Sequence, residues 1–146
     1  MSKIIIIGAG AMGSAFALPC IDNKHDVNII GTHLENDFID SLKNKENFHP
    51  GLNLKLDKKI KIHKFDKFKN ILDKSTDLIV LGISSKGIEW VSEQLSKTFK
   101  DKNIPNLLML TKGLSIFKND YELLVDKLKR LLSDNGINKV NISAVG

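Results

Sequence analysis

A chain of 146 residues with 42% hydrophobic composition can close one proper core but is short for two ordinary domains. Its single cysteine, Cys20, excludes an internal disulfide framework. No apolar run reaches the length of a membrane span, so a cytoplasmic protein without such a span is expected. The net charge of +5 would suit nucleic acid, yet the lysines are scattered and Arg130 is the only arginine, so no nucleic-acid partner is expected.

The chain opens "MSKIIIIGAGAMG": an apolar strand over Lys3–Ile7 runs directly into Gly8, Gly10 and Gly13 in a G-x-G-x-x-G pattern. In that pattern the first glycine permits the tight turn, the second lets backbone approach a pyrophosphate, and the third allows close helix–strand packing. The amides that begin the following helix, predicted over Ala11–Asn23, would face the phosphates with the positive end of the helix dipole. No Gly-Lys-Ser/Thr follows, which excludes a P-loop mononucleotide site. Pro19 falls inside this helix and predicts a bend over Ala15–Pro19.

The second strand, Val27–Ile30, leads into "GTHLEND". An acid at its end would read a free ribose 2′-hydroxyl, but the position holds Thr32 and His33, with the first acid at Glu35. That leaves NAD against NADP open and predicts weak discrimination between them. Further helices are predicted over Leu34–Lys43, Phe68–Asp73 and Ile88–Phe99, alternating with strands over Ile60–His63 and Leu78–Ile83. The stretch "NLLMLTKGLS" at 106–115 reads as a buried strand, Leu107–Thr111, that ends in a cation, Lys112, on a glycine hinge. A helix over Tyr121–Leu132 follows, with Leu124, Leu128, Leu131 and Leu132 on one stripe and Asp126, Lys127, Lys129 and Arg130 facing out. Val140–Val145 completes six strands. Near-continuous apolar strands alternating with helices specify an α/β fold: a Rossmann-like doubly wound parallel sheet with helices on both faces. His25 and His49 lack ligand-spaced partners, so both read as structural and no metal site is expected.

In this order, "GAGAMGSAFA" at 8–17, "NKHDV" at 23–27, "NFHPGLNL" at 47–54, "TDLIVLGISSK" at 76–86, "LTKGLS" at 110–115 and the closing "VNISAVG" resemble one known family. It is the N-terminal domain of NAD(P)-dependent glycerol-3-phosphate dehydrogenases, over essentially the whole chain. The Pro-Gly loop and the Thr-Lys-Gly element are the most specific, and ketopantoate reductases and sugar-nucleotide dehydrogenases fit both less well. The resemblance implies hydride transfer between NAD(P)H and dihydroxyacetone phosphate or sn-glycerol 3-phosphate. It places Gly8, Gly10, Ala11, Met12 and Gly13 on the pyrophosphate. Thr32, with His33 beside it, falls near the adenosine ribose, where many members carry arginine. Phe48 falls at a cofactor-facing aromatic, although on its own residues it suits a loop anchor equally well. Ile83, Ser84 and Ser85 stand where members have Val-Pro-Ser beside the nicotinamide, with the proline lost. Lys112 aligns with a strand-end lysine that reaches the cofactor and substrate cleft; a cation there can attract an anionic substrate and polarise a carbonyl oxygen.

The resemblance also implies a helical C-terminal domain that supplies the substrate pocket, the principal catalytic lysine and a possible homodimer interface. This chain, read as one cofactor domain over 1–146, has none of it, so it is expected to bind cofactor without turning over substrate. The alternatives are a stand-alone dinucleotide-binding or redox-sensing module, and the cofactor domain of a ketopantoate-reductase-like dehydrogenase.

Overall fold

A computed structural model of the chain describes residues 1–101 and 103–145; Gly146, the last residue of the expected domain, lies outside the described residues. Six strands form one parallel sheet. They are β1 (Lys3–Ile7), β2 (Asp26–Ile30), β5 (Lys61–His63), β6 (Leu78–Leu81), β7 (Asn106–Met109) and β10 (Ile142–Ala144), in the spatial order β10-β7-β6-β1-β2-β5. β1 lies at the centre and pairs in parallel with β2 on one side and β6 on the other. The chain therefore winds outward through β2 and β5, then returns past β1 to build the other half. Between β1 and β6 lies the point where the strand order reverses, and the carboxyl ends diverge there.

Alternation of the strand side chains sends two sets of apolar residues to the two faces. Ile5, Ile7, Ile79, Leu81, Leu107 and Met109 pack under α3 (Phe68–Ile71), α4 (Ile88–Thr98) and α5 (Leu124–Asp134). Ile4, Ile6, Val27, Ile29 and Val80 pack under α1 (Ala11–Asp22) and α2 (Asn36–Asn44). Strands buried on both faces explain the uninterrupted apolar runs in the sequence. α1 continues through Pro19, which sits on the exposed side of the helix, where a carbonyl left without its N–H partner can be hydrated.

Two regions differ from the sequence expectation. The helix expected from Tyr121 begins only at Leu124, because residues 114–123 form an antiparallel hairpin, β8 (Leu114–Phe117) with β9 (Asp120–Leu123). Lys118 and Asn119 turn it with φ of 50° and 65°, the left-handed pair that suits a two-residue turn to strand twist. Lys127 and Arg130 do not face open solvent either: Lys127 pairs with Glu89 at 3.2 Å, and Arg130 grips Glu122 through Nε and Nη2, both at 2.9 Å. The Pro-Gly loop is a second short hairpin, β3 (Phe48–His49) with β4 (Leu54–Lys55). Elsewhere the elements fall where expected, with ends that differ by one or two residues in either direction. The helix expected to Asp73 stops at Ile71, because the Asp73 carboxylate accepts the Ser75 N–H at 2.8 Å and turns the chain.

Candidate functional site

Three glycines weld the centre of the sheet to α1. Gly8 has φ +105°, and a Cβ there would lie 2.2 Å from the Gly82 carbonyl oxygen. A Cβ on Gly13 would lie 2.6 Å from the Gly8 oxygen, and one on Gly82 would lie 2.9 Å from the Gly13 Cα. No side chain fits at these contacts, so strand ends and helix start come to backbone distance. Gly10 is different. A Cβ built on it meets nothing within 4 Å, and Gly10 lines a cavity of about 570 Å³ over the carboxyl ends of β1, β2 and β6.

The fit of this cavity to a dinucleotide can be tested on its donors. Gly10 is the N-cap of α1 and supplies no side chain, so the first-turn N–H groups of Ala11, Met12 and Gly13 have no side-chain cap. Such a turn, at the edge of an open space that Gly10 leaves clear, fits a pyrophosphate. From the β2 side the cavity is walled by Thr32, His33 and Glu35, and from the β6 side by Gly82, Ile83 and Ser84. Trp90, on the first turn of α4, also lines it, with its ring 4.9 Å from that of His33 and 5.5 Å from that of Phe65.

The loop itself is held through one peptide. The Ala9 N–H donates to both Glu35 carboxylate oxygens, at 3.3 and 3.2 Å, and Glu35 also accepts the Thr32 N–H at 2.9 Å. The Ala9 carbonyl accepts from the Ser14 hydroxyl at 3.0 Å and from Nε2 of the buried His49 at 2.9 Å. His49 is thus a latch from the Pro-Gly hairpin onto the glycine loop, which agrees with the structural role expected for it. Its Nδ1 has no hydrogen-bond partner among the described residues. His25 is likewise structural, accepting the Ser2 N–H at 3.1 Å on Nδ1. No cluster of potential metal ligands occurs among the described residues, and no described helix is long and apolar enough to cross a membrane.

The expected site residues separate into groups. Gly10, Thr32, His33, Ile83 and Ser84 line the cavity. Gly8 and Gly13 shape it from behind, while Ala11 and Met12 begin α1 with exposed side chains and offer backbone alone. Ser85 instead faces a shallower neighbouring hollow that also holds Lys127. Phe48 is half-buried in β3, outside the cavity lining, which favours the loop-anchor alternative. Lys112 lies just past the end of β7, exposed, with no ion pair among the described residues. The strand end before it is tied down: the Thr111 hydroxyl donates to the Ile83 carbonyl, and Gly113 turns the chain with φ +135°. Leu34, Glu35, Gly82, Lys86, Gly87 and Trp90 also line the cavity, although none was among the expected site residues; Glu35 and Trp90 bring the carboxylate and the large aromatic ring. A signal for Glu35 was present, because Thr32-His33-Leu34-Glu35 has the T-x-x-E spacing of a capping box, in which the acid folds back onto the first N–H.

Residues 3–143 match the family described as the N-terminus of NAD-dependent glycerol-3-phosphate dehydrogenase. The NADP(+)-dependent glycerol-3-phosphate dehydrogenase of Archaeoglobus fulgidus is 30% identical over 131 residues, covering 90% of this chain and 37% of that protein. A glycerol-3-phosphate dehydrogenase [NAD(P)+] of Bacillus pumilus is 34% identical over 103 residues, 70% of this chain and 28% of its own length. The chain thus spans less than two fifths of the length of these relatives. Among solved structures, glycerol-3-phosphate dehydrogenase of Coxiella burnetii superposes with a TM-score of 0.73 at 18% identity, covering 98% of this chain and 40% of that one. A Rex-family repressor shares the fold with a TM-score of 0.56 at 16% identity, over 99% of this chain and 53% of the repressor.

Proposed function

The chain belongs to the family of N-terminal domains of NAD-dependent glycerol-3-phosphate dehydrogenases, and from that premise we propose that it holds NAD or NADP for an enzyme that interconverts dihydroxyacetone phosphate and sn-glycerol 3-phosphate. The observation that carries this reading is the open Gly10 cradle, between an uncapped helix start and a cavity over the strand ends. When bound, such a cofactor supplies or accepts the hydride. The chain's own part is to bind and orient. First-turn amides of α1 hold the pyrophosphate, Thr32 and His33 flank the adenosine, and Ile83 and Ser84 border the nicotinamide side.

Lys112 is assigned the substrate side, as a catalytic and binding cation at the strand ends, where open α/β sheets receive their ligands. One ammonium there can stabilise the developing oxyanion or hold the substrate phosphate. The reaction also needs water kept from the reacting carbon, and one exposed lysine cannot enclose a substrate. We assign that enclosure, and the homodimer interface, to a further helical domain such as would account for the greater length of the relatives. Localisation in the cytoplasm belongs to the same proposal.

Trp90 is the chain's single tryptophan and lines the cavity, so it provides the test. Titrating NADH should quench tryptophan emission saturably and raise nicotinamide emission by energy transfer, with ADP-ribose competing. A titration with no saturable change in either signal, and no heat in calorimetry, would overturn the proposal.

A further inference from the structure

The acid missing from the end of β2 in sequence is present in space. Glu35 comes three residues after Thr32, yet two backbone N–H groups, Ala9 at the end of β1 and Thr32 at the end of β2, draw its carboxylate back into the gap between the strand ends. It lines the cavity there, beside the open Gly10 cradle. A pyrophosphate on the first turn of α1 leaves the adenosine ribose above the end of β2, which is where this carboxylate is fixed.

Resting on the dinucleotide reading above, we propose that Glu35 selects the unphosphorylated ribose: it accepts a hydrogen bond from the 2′-hydroxyl of NAD and repels the 2′-phosphate of NADP. Two pinned N–H contacts leave the carboxylate with lone pairs to spare for a hydroxyl donor. They also hold its charge in place, so it cannot swing aside for a phosphate as a free surface side chain would. Little offsets that charge on the same wall. The Thr32 hydroxyl carries no charge and accepts the Leu34 N–H at 3.3 Å, and the His33 ring packs edge-on against Phe65 and tilted against Trp90. The remaining lining cation, Lys86, belongs to the β6 side of the cavity. The only arginine of the chain, Arg130, is bound to Glu122 on α5's side of the fold. The chain would then differ in preference from the Archaeoglobus fulgidus relative, whose name specifies NADP(+).

The experiment measures dissociation constants of the chain for NADH, NADPH and 2′-deoxy-NADH by calorimetry and Trp90 energy transfer, in parent and in Glu35→Gln. In the parent, NADH should bind at least about tenfold more tightly than NADPH, and removing the 2′-hydroxyl should cost about fivefold or more. In Glu35→Gln the NADH-to-NADPH ratio should fall by at least about tenfold, chiefly because NADPH tightens. The three-ligand comparison in the parent needs no variant, so it decides the matter even if Glu35→Gln does not fold. Equal affinity of the parent for NADH and NADPH, an undiminished affinity for the 2′-deoxy analogue, or an unchanged ratio in a folded Glu35→Gln would each overturn the assignment while leaving cofactor binding intact. Failure of the parent to bind any of the three would overturn the dinucleotide reading and Glu35's role with it.

Discussion

Gly8 and Gly10 lie two residues apart in one loop, and the structure assigns them opposite tasks, so replacing each should fail in a different assay. At Gly10 the backbone has φ −64° and ψ 177°, extended and open to any residue, and a Cβ meets nothing within 4 Å. Gly10→Val should therefore change folding stability by no more than about 0.5 kcal/mol, the range of a surface substitution. Its isopropyl group, however, enters the space where pyrophosphate must approach the α1 amides. Dinucleotide affinity should fall at least about a hundredfold, or about 2.7 kcal/mol. At Gly8 the φ of +105° strains any other residue by about 1–3 kcal/mol. A methyl would also stand 2.2 Å from the Gly82 oxygen, part of the backbone, which adds an overpacking cost of about 1–3 kcal/mol. Gly8→Ala should thus lose about 3 kcal/mol or more, a large share of a typical total of about 5–15 kcal/mol. Urea unfolding followed by circular dichroism reads the stability arm, with a midpoint about 1 M or more lower for Gly8→Ala. Trp90-to-NADH energy transfer reads the binding arm. If Gly10→Val binds NADH as the parent does, the cradle is misassigned; if Gly8→Ala keeps the parent's midpoint, the close packing of β1, β6 and α1 is.

Two other groups should report on stability. His63 Nε2 donates to Asn28 Oδ1 at 3.1 Å, and burial, with Lys43, Lys61 and Lys67 nearby, holds its pKa below the usual imidazole value. The unfolded chain therefore takes up this proton first on acidification, so the stabilisation is complete above the unfolded value of about 6.5 and is lost as pH falls toward the folded one. Urea midpoints between pH 7.5 and 5.5 should drop more for the parent than for His63→Gln; parallel curves would show that another group governs this limb. Arg130 holds the β8–β9 hairpin to α5 by its fork on Glu122 and by stacking 3.7 Å over the Phe117 ring. In Arg130→Gln, amide exchange across 114–123 should accelerate while the sheet strands keep their protection, and uniform acceleration would mean the hairpin does not open as a unit.

The sheet was legible because its strands are buried on both faces, which leaves unbroken apolar runs such as Ile4–Ile7 and Leu107–Leu110 that few other structures explain. The hairpin was not read, although Leu114, Ile116, Tyr121 and Leu123 alternate with Ser115 and Glu122 at a strand's period. Its turn carries Lys118-Asn119 in place of the usual glycine, so the strongest hairpin signal is missing, and the leucine stripe of α5 extends back into Leu123 and masks the boundary. Element type was decided there by the fork of Arg130 on Glu122 and by cross-strand pairing, both of which depend on contacts across the fold.

The candidate site divides along the same line between local and distant causes. Gly8, Gly10 and Gly13 could be read from one turn of sequence because strand, loop and helix are consecutive, and each glycine's task follows from that geometry. Thr32 and His33 were found at the wall of the cavity because they simply follow a strand end. The T-x-x-E spacing accounts for the return of Glu35 to the Thr32 N–H, but its reach to the Ala9 N–H, 26 positions away in the chain, follows only once β1 and β2 lie side by side. Trp90 required knowing that the first turn of α4 comes beside His33, after β2, and Phe65, after β5, whose rings lie 4.9 and 5.5 Å from its own. Both are side chains whose position is fixed by a partner on a different strand or helix. In a doubly wound sheet the cavity lies where the strand order reverses, so its walls come from halves of the chain that sequence order keeps apart. Local motifs can therefore identify the phosphate side of such a cavity, while the residues that discriminate among ligands emerge only once β2 and β6 are placed on either side of β1.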